Sequence, residues 1–229
     1  MLPATHETAR AGLAAPSEDG SPYISSGTWS LLGVEQAKAH TDSESRKYNY
    51  SNEGSIHYNF RYQKNIMGLW MIQQVRHELD DKYSFAELAE MARTHRHARV
   101  VDVNDEAFLS PDGMICAIVE KAGEMDVGEI AYCVFNSLAK CYAESISQLE
   151  SLTGEVYRKL HIIGGGSKNT LLNELTAKAT GKTVITGPTE GTAIGNIIMQ
   201  MVGTGEVKDL QEARKIIKNS FNIEEVKIS

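Results

Sequence analysis

The chain has 229 residues, of which 41% are hydrophobic, enough to bury a core and ordinary for one α/β domain. Its formal charge of −7 excludes the basic face that nucleic-acid binding demands. Three cysteines, Cys116, Cys133 and Cys141, lack CxxC spacing and read as buried thiols rather than as a disulfide framework or zinc site, and no stretch reaches membrane-span length or resembles an export signal, so a cytoplasmic location is expected.

In chain order, the first strong signal is YISSGTWSLLGVE, Tyr23 to Glu35, which reads as strand, tight glycine turn and strand. Gly27 permits close backbone approach, and Ser25, Ser26 and Thr28 offer hydroxyls beside backbone N–H groups that can form an anion-binding nest. The same residues could instead simply satisfy a turn. A polar stretch from Lys38 to Tyr62 reads as loop and irregular strand. Ile66, Leu69 and Trp70 then mark the apolar side of a helix reaching roughly to Leu79, and Ser84 caps a second helix through Glu87. Tyr58, Tyr62 and Trp70 fit core packing, and His95 and His97 read as solvated, without ligand spacing for a metal. After a turn at Ser110 to Met114, a long helix carries Ile130, Val134, Leu138, Cys141 and Leu149 on one side.

Near the C-terminus, HIIGGGSKNTLLNELTAKATGK places a second glycine cluster between a strand ending at Ile163 and a helix that Asn169 or Ser167 can cap. Gly164, Gly165 and Gly166 suit a turn against a base or ribose, or merely a sharp strand-to-helix corner. A dinucleotide fold fits poorly, because GxGxxG spacing and a suitably placed acidic residue are missing. A strand at Thr183 to Thr186, a helix from about Glu190 and a last helix near Leu210 to Lys218 complete a βαβα pattern.

These motifs carry a family resemblance. ATHETA (Ala4 to Ala9), SSGTWSLLG, NEG (Asn52 to Gly54), KNIMGLW (Lys64 to Trp70), GEIAYCVFNSLAKCY, HIIGGGSKNTLLN and GPTEGTAIGN (Gly187 to Asn196) resemble the C-terminal domain of the FGGY carbohydrate kinases over nearly every residue. KNIMGLW beside SSGTWSLLG points within them to the rhamnulokinases. The resemblance implies an actin-like, ribonuclease-H-like α/β domain spanning residues 1–229, with ATP and Mg²⁺ as cofactors and a ketose, L-rhamnulose before fuculose or xylulose, as acceptor.

It also implies roles for residues. The family's catalytic aspartate, which accepts the sugar hydroxyl proton, corresponds to Glu7 in His6-Glu7-Thr8, while the flanking His6 and Thr8 match ketose contacts. Glutamate and aspartate are nearly equal as bases, their ordinary pKa values lying only about 0.4 apart, but the added methylene displaces the carboxylate. Thr28 corresponds to a contact with ATP phosphates, Gln73, on the same helix as Asn65, to an ATP contact, Gly165 to the adenosine pocket, and Asn65 to a sugar contact. Gly33 and Gly166 read as backbone-geometry glycines. Ser55 stands where the family has a glycine, and Glu190 to Gly195 resembles a helix start that meets a partner domain.

No Asp-x-Gly-Thr phosphate loop occurs in the chain, so the reading is of a C-terminal half whose N-terminal kinase domain lies elsewhere, inactive alone. A kinase-derived nucleotide-binding or regulatory module is the alternative. An actin-like assembly protein fits least, having no use for His6, Thr8 and Asn65.

Overall fold

The run from Tyr23 forms the hairpin that its sequence dictates: β1 (Tyr23–Ser26) and β2 (Trp29–Gln36) pair antiparallel, with Tyr23 opposite Gly33 and Ser26 opposite Ser30. The structure, a computed structural model, describes residues 12–15, 20–55 and 59–227. His6, Glu7, Thr8 and Tyr58 lie outside the described residues. Short helix α1 (Ser43–Lys47), strands β3 (Tyr50–Gly54) and β4 (Phe60–Met67), and helices α2 (Trp70–Glu78), α3 (Phe85–Thr94), α4 (Met114–Ala122) and α5 (Val127–Thr153) follow. The chain continues through β5 (Lys159–Ile163), a 3-10 turn at Gly165–Lys168, α6 (Thr170–Thr180), β6 (Thr183–Thr186), α7 (Gly191–Thr204), α8 (Leu210–Ser220) and β7 (Glu224–Val226).

The seven strands of the sheet run in the order β3-β4-β2-β1-β5-β6-β7, with β1, β5 and β6 parallel and the outer pairs antiparallel. Because side chains alternate across a strand, Ile24 and Tyr23 enter different apolar clusters. Ile24, Leu32 and Val34 join a core with Met71, Leu88, Phe108, Ile130, Leu138 and Leu171, contributed mainly by α2 to α6. Ile194 and Ile198 of α7 and Ala213 and Ile217 of α8 pack with Ala14 in a second cluster.

Several helix starts are written in the sequence. Ser84 and Glu87 form a capping box on α3, and Asp126 and Glu129 form another on α5. Asn169 caps α6 by accepting from the Leu172 N–H at 3.0 Å, and Asp209 caps α8. Glycines in the left-handed region, Gly154 and Gly181, end α5 and α6.

Several expectations are corrected. The Lys38 to Tyr62 stretch contains α1, β3 and the start of β4, and Ile66 and Asn65 lie on β4 rather than on the helix of Gln73. Buried polar side chains hide the strand: Arg61 is inside because its guanidinium donates to Glu53 at 2.7 Å, and Gln63 because its amide donates to the same carboxylate at 2.8 Å. The turn at Ser110 to Met114 leads into α4, with Gly123 separating it from α5. Cys133 is buried, but Cys116 is exposed and Cys141 half-buried. His95 and His97 are half-buried and bonded, His95 beside the Met91 carbonyl at 2.7 Å and His97 beside that of Glu129 at 2.9 Å.

Candidate functional site

The hairpin corner and the second glycine cluster, remote in sequence, meet at the carboxyl ends of parallel strands β1 and β5. Open α/β sheets bind ligands outside such strand ends. A cavity of about 400 Å³ lies there, lined by Ser25, Gly27, Thr28, Gly164 and Gly165, with Thr189, Glu190, Gly191 and Thr192 at the start of α7. Thr28 is exposed and lines this space. The start of α7 has no side-chain cap, so its positive end borders the cavity. Glu190 is the one charged residue among the lining side chains described.

The three consecutive glycines have different jobs. Gly164 has φ +86°, and a Cβ there would come within 2.8 Å of the Ser26 carbonyl oxygen. A Cβ on Gly166 would collide with the Ser26 side chain. Both glycines therefore let the loop lie on the end of β1, as read for Gly166. Gly165 differs: a Cβ there meets nothing within 4 Å, so this position faces open cavity and its backbone is accessible to a ligand.

The hairpin corner is held rigidly. The Gly27 and Thr28 carbonyls accept from the Leu69 and Trp70 N–H groups at 2.9 and 3.1 Å. This contact requires Gly68, whose Cβ would stand 2.6 Å from the Gly27 oxygen and 2.7 Å from the Ser30 nitrogen. From beneath, the Tyr142 hydroxyl of α5 meets Ser30 Oγ at 2.7 Å. Burial pushes the Tyr142 phenol up to about 12, so it stays a neutral hydrogen-bonding group.

A second cavity, of about 560 Å³, contains Asn65. Here β4 runs past the start of β3, whose first residue pairs with Lys64, so the exposed Asn65 stands on an edge that β3 does not cover. Lys64 Nζ donates to Gln148 Oε1 at 3.0 Å, and burial holds this ammonium below its usual range. Asn104 Oδ1 accepts from the Met67 N–H at 3.1 Å. Trp29 and Leu109 complete an apolar part of the wall, and Trp29 borders both cavities.

The structure thus brings Thr28 and Gly165 together and puts Asn65 in the neighbouring cavity. Gln73 is half-buried on α2 and lines neither space. Sequence reasoning missed Trp29, Gly68, Asn104 and Gln148. The glycine between KNIM and LW was the available signal for Gly68; nothing local marked Asn104 or Gln148. Among the described residues no group of three or more His, Cys, Asp or Glu side chains could hold a metal ion.

The comparisons with known proteins decide the family. Residues 22–204 match the family described as the FGGY family of carbohydrate kinases, C-terminal domain. The chain belongs to this FGGY family. A rhamnulokinase of Oceanobacillus iheyensis is 47% identical over 229 residues, covering 97% of this chain and 49% of its own length. One from Bacillus subtilis is 44% identical over 231 residues, with 97% and 48% covered. This FGGY chain spans about half the length of the curated relatives it matches. Its fold is that of solved sugar kinases: a ligand-bound xylulose kinase from Lactobacillus acidophilus superposes with TM-score 0.70 at 13% identity, covering 96% of this chain and 45% of that one. A Plasmodium falciparum glycerol kinase with ADP gives 0.66 at 12%, with 97% and 47% covered. The actin-like α/β class expected of the FGGY domain is therefore the fold observed.

Proposed function

We propose that this chain serves as the nucleotide-side domain of a cytoplasmic kinase that transfers the γ-phosphoryl group of ATP to L-rhamnulose, acting with an N-terminal domain. The observation that carries the reading is the convergence of Thr28 and Gly165 on one cavity at the ends of β1 and β5, bordered by the uncapped start of α7. Hydroxyl and backbone donors there suit phosphate oxygens, and the bare backbone at Gly165 suits the adenosine. Phosphoryl transfer asks mainly for positioning and charge neutralisation, which a rigid hairpin and a helix start supply. Gln73 keeps its ATP role on the resemblance alone.

Asn65, on its uncovered strand edge, holds a ketose hydroxyl in the adjoining cavity. His6 and Thr8 contribute further sugar contacts, and Glu7 accepts the proton of the attacking hydroxyl. Mg²⁺, when bound, would neutralise charge on the nucleotide phosphates; among the described residues no cluster of three or more His, Cys, Asp or Glu side chains forms a cage for it. The ketose preference follows the named activity of the curated relatives.

The test is ADP release coupled to L-rhamnulose, with the chain alone and with the N-terminal domain of a relative supplied. Turnover is expected only in the combination. There Glu7→Asp raises it and Glu7→Gln lowers it by about 10²-fold or more, the usual contribution of general-base catalysis. Equal turnover by all three versions would remove Glu7 as the base. Turnover on xylulose or fuculose but not rhamnulose would reassign the acceptor, and binding of ATP with no transfer in any combination would favour a regulatory module.

A further inference from the structure

The second cavity has both polar and apolar lining, and two of its apolar side chains are unusually exposed. Lys64, Asn65, Asn104 and Gln148 offer hydrogen-bonding groups, whereas Trp29 and Leu109 keep 50% and 49% of their surfaces accessible beside them. An indole left half in water is costly apolar surface, and a large exposed apolar patch beside convergent polar groups marks a binding wall. The backbone of Trp29 is also fixed in place. The Gly27 N–H donates to the Trp29 carbonyl at 3.0 Å, and the two residues before it are tied to Leu69 and Trp70 across Gly68. The indole stands on a hydrogen-bonded backbone corner, so the ordering cost left to pay on binding is that of the side chain alone.

From this geometry we infer that Trp29, with Leu109, recognises the methyl terminus of a 6-deoxyketose, making it the specificity residue of the sugar cavity. The inference rests on the ketose reading of Asn65 given above. Asn65 and its polar neighbours meet the hydroxyl groups, and the indole and leucine meet the carbon that bears none. A hydroxymethyl group in that position would lose its water without gaining a partner, so the wall discriminates between otherwise identical sugars.

L-rhamnulose and L-fructose differ only in a methyl against a hydroxymethyl terminus, which makes them the probes. The chain has two tryptophans, Trp29 and Trp70, so Trp70→Phe leaves the indole at 29 as sole fluorescent reporter. Saturation-transfer NMR of both sugars on the unsubstituted chain, Trp29→Ala, Trp29→Tyr and Asn65→Ala gives affinities that need no change at Trp70. L-rhamnulose is expected to bind at least about fourfold more tightly than L-fructose, the worth of one buried methyl at about 0.8 kcal/mol. It should perturb the Trp29 emission; Trp29→Ala should erase the preference, Trp29→Tyr retain part of it, and Asn65→Ala weaken both sugars. Asn65-dependent binding of the two sugars with equal affinity would overturn the role of Trp29 while leaving the ketose site standing, as would an emission that answers ATP and ignores sugar. Binding of neither sugar, or binding untouched by Asn65→Ala, would overturn the ketose reading and this inference with it.

Discussion

At the scale of residues, the candidate site depends on atoms that are absent as much as on those present. Gly68, Gly164 and Gly166 each leave out a Cβ that would strike the hairpin corner, whereas Gly165 leaves out one that would meet open space. The sequence resemblance gave Gly165 and Gly166 different roles, yet nothing in three consecutive glycines distinguishes the one that packs from the one that faces open space. Beneath the corner, Tyr142 gives a pH prediction. Its folded value of about 12 lies above the ordinary 10.0, so the unfolded chain loses its proton first. The stabilisation is fully present below pH 10 and declines as pH rises towards the folded value, by up to about 2 to 3 kcal/mol. Tyr23, also pushed up to about 12 chiefly by burial, acts in the same direction. Urea unfolding between pH 8 and 11.5 should show falling stability above pH 10, with a shallower fall in Tyr142→Phe. An identical slope in the variant would mean that this phenol is not the protonated, buried group described.

Among elements, the legible ones announce themselves by local chemistry. The hairpin has its glycine turn, α3 its capping box, and α6 its Asn169 cap and closing glycine. Strand β4 was illegible for a tertiary reason. Its expected alternation of apolar and polar residues is broken by Arg61 and Gln63, whose burial depends on Glu53 across the sheet, and Ile66, Leu69 and Trp70 happen to fall at helical spacing across a strand end and a helix start. The same dependence yields a prediction. Glu53→Ala leaves the Arg61 guanidinium, only 3% exposed, without its carboxylate partner. Because Glu53 itself is half open to water, the loss should be somewhat below that of a fully buried pair, about 2 to 3 kcal/mol, measured by chemical denaturation. Exchanging both residues, Glu53→Gln with Arg61→Met, should recover part of it. A Glu53→Ala chain as stable as the original would show that the pair does not hold the β3-β4 edge together.

For the whole molecule, the FGGY resemblance anticipated the α/β class and singled out the two glycine turns. It did not show that the two turns share one cavity, since their meeting depends on the parallel pairing of β1 with β5 across more than a hundred residues of intervening chain. Nor could it reveal that Trp29 stands between two cavities, which is a product of the strand order β4-β2-β1-β5. The central claim is that the cavity between the hairpin corner and the Gly164 to Gly166 loop holds the nucleotide. Calorimetric titration of ATP with Mg²⁺ into the chain and into Gly165→Val tests it most directly, because the open surroundings of Gly165 let valine enter without disturbing the fold. The account predicts measurable binding that falls by at least about tenfold, 1.4 kcal/mol, in a valine variant with unchanged melting temperature. A folded Gly165→Val chain that binds ATP as tightly as the original, or an original chain that binds none, would contradict it.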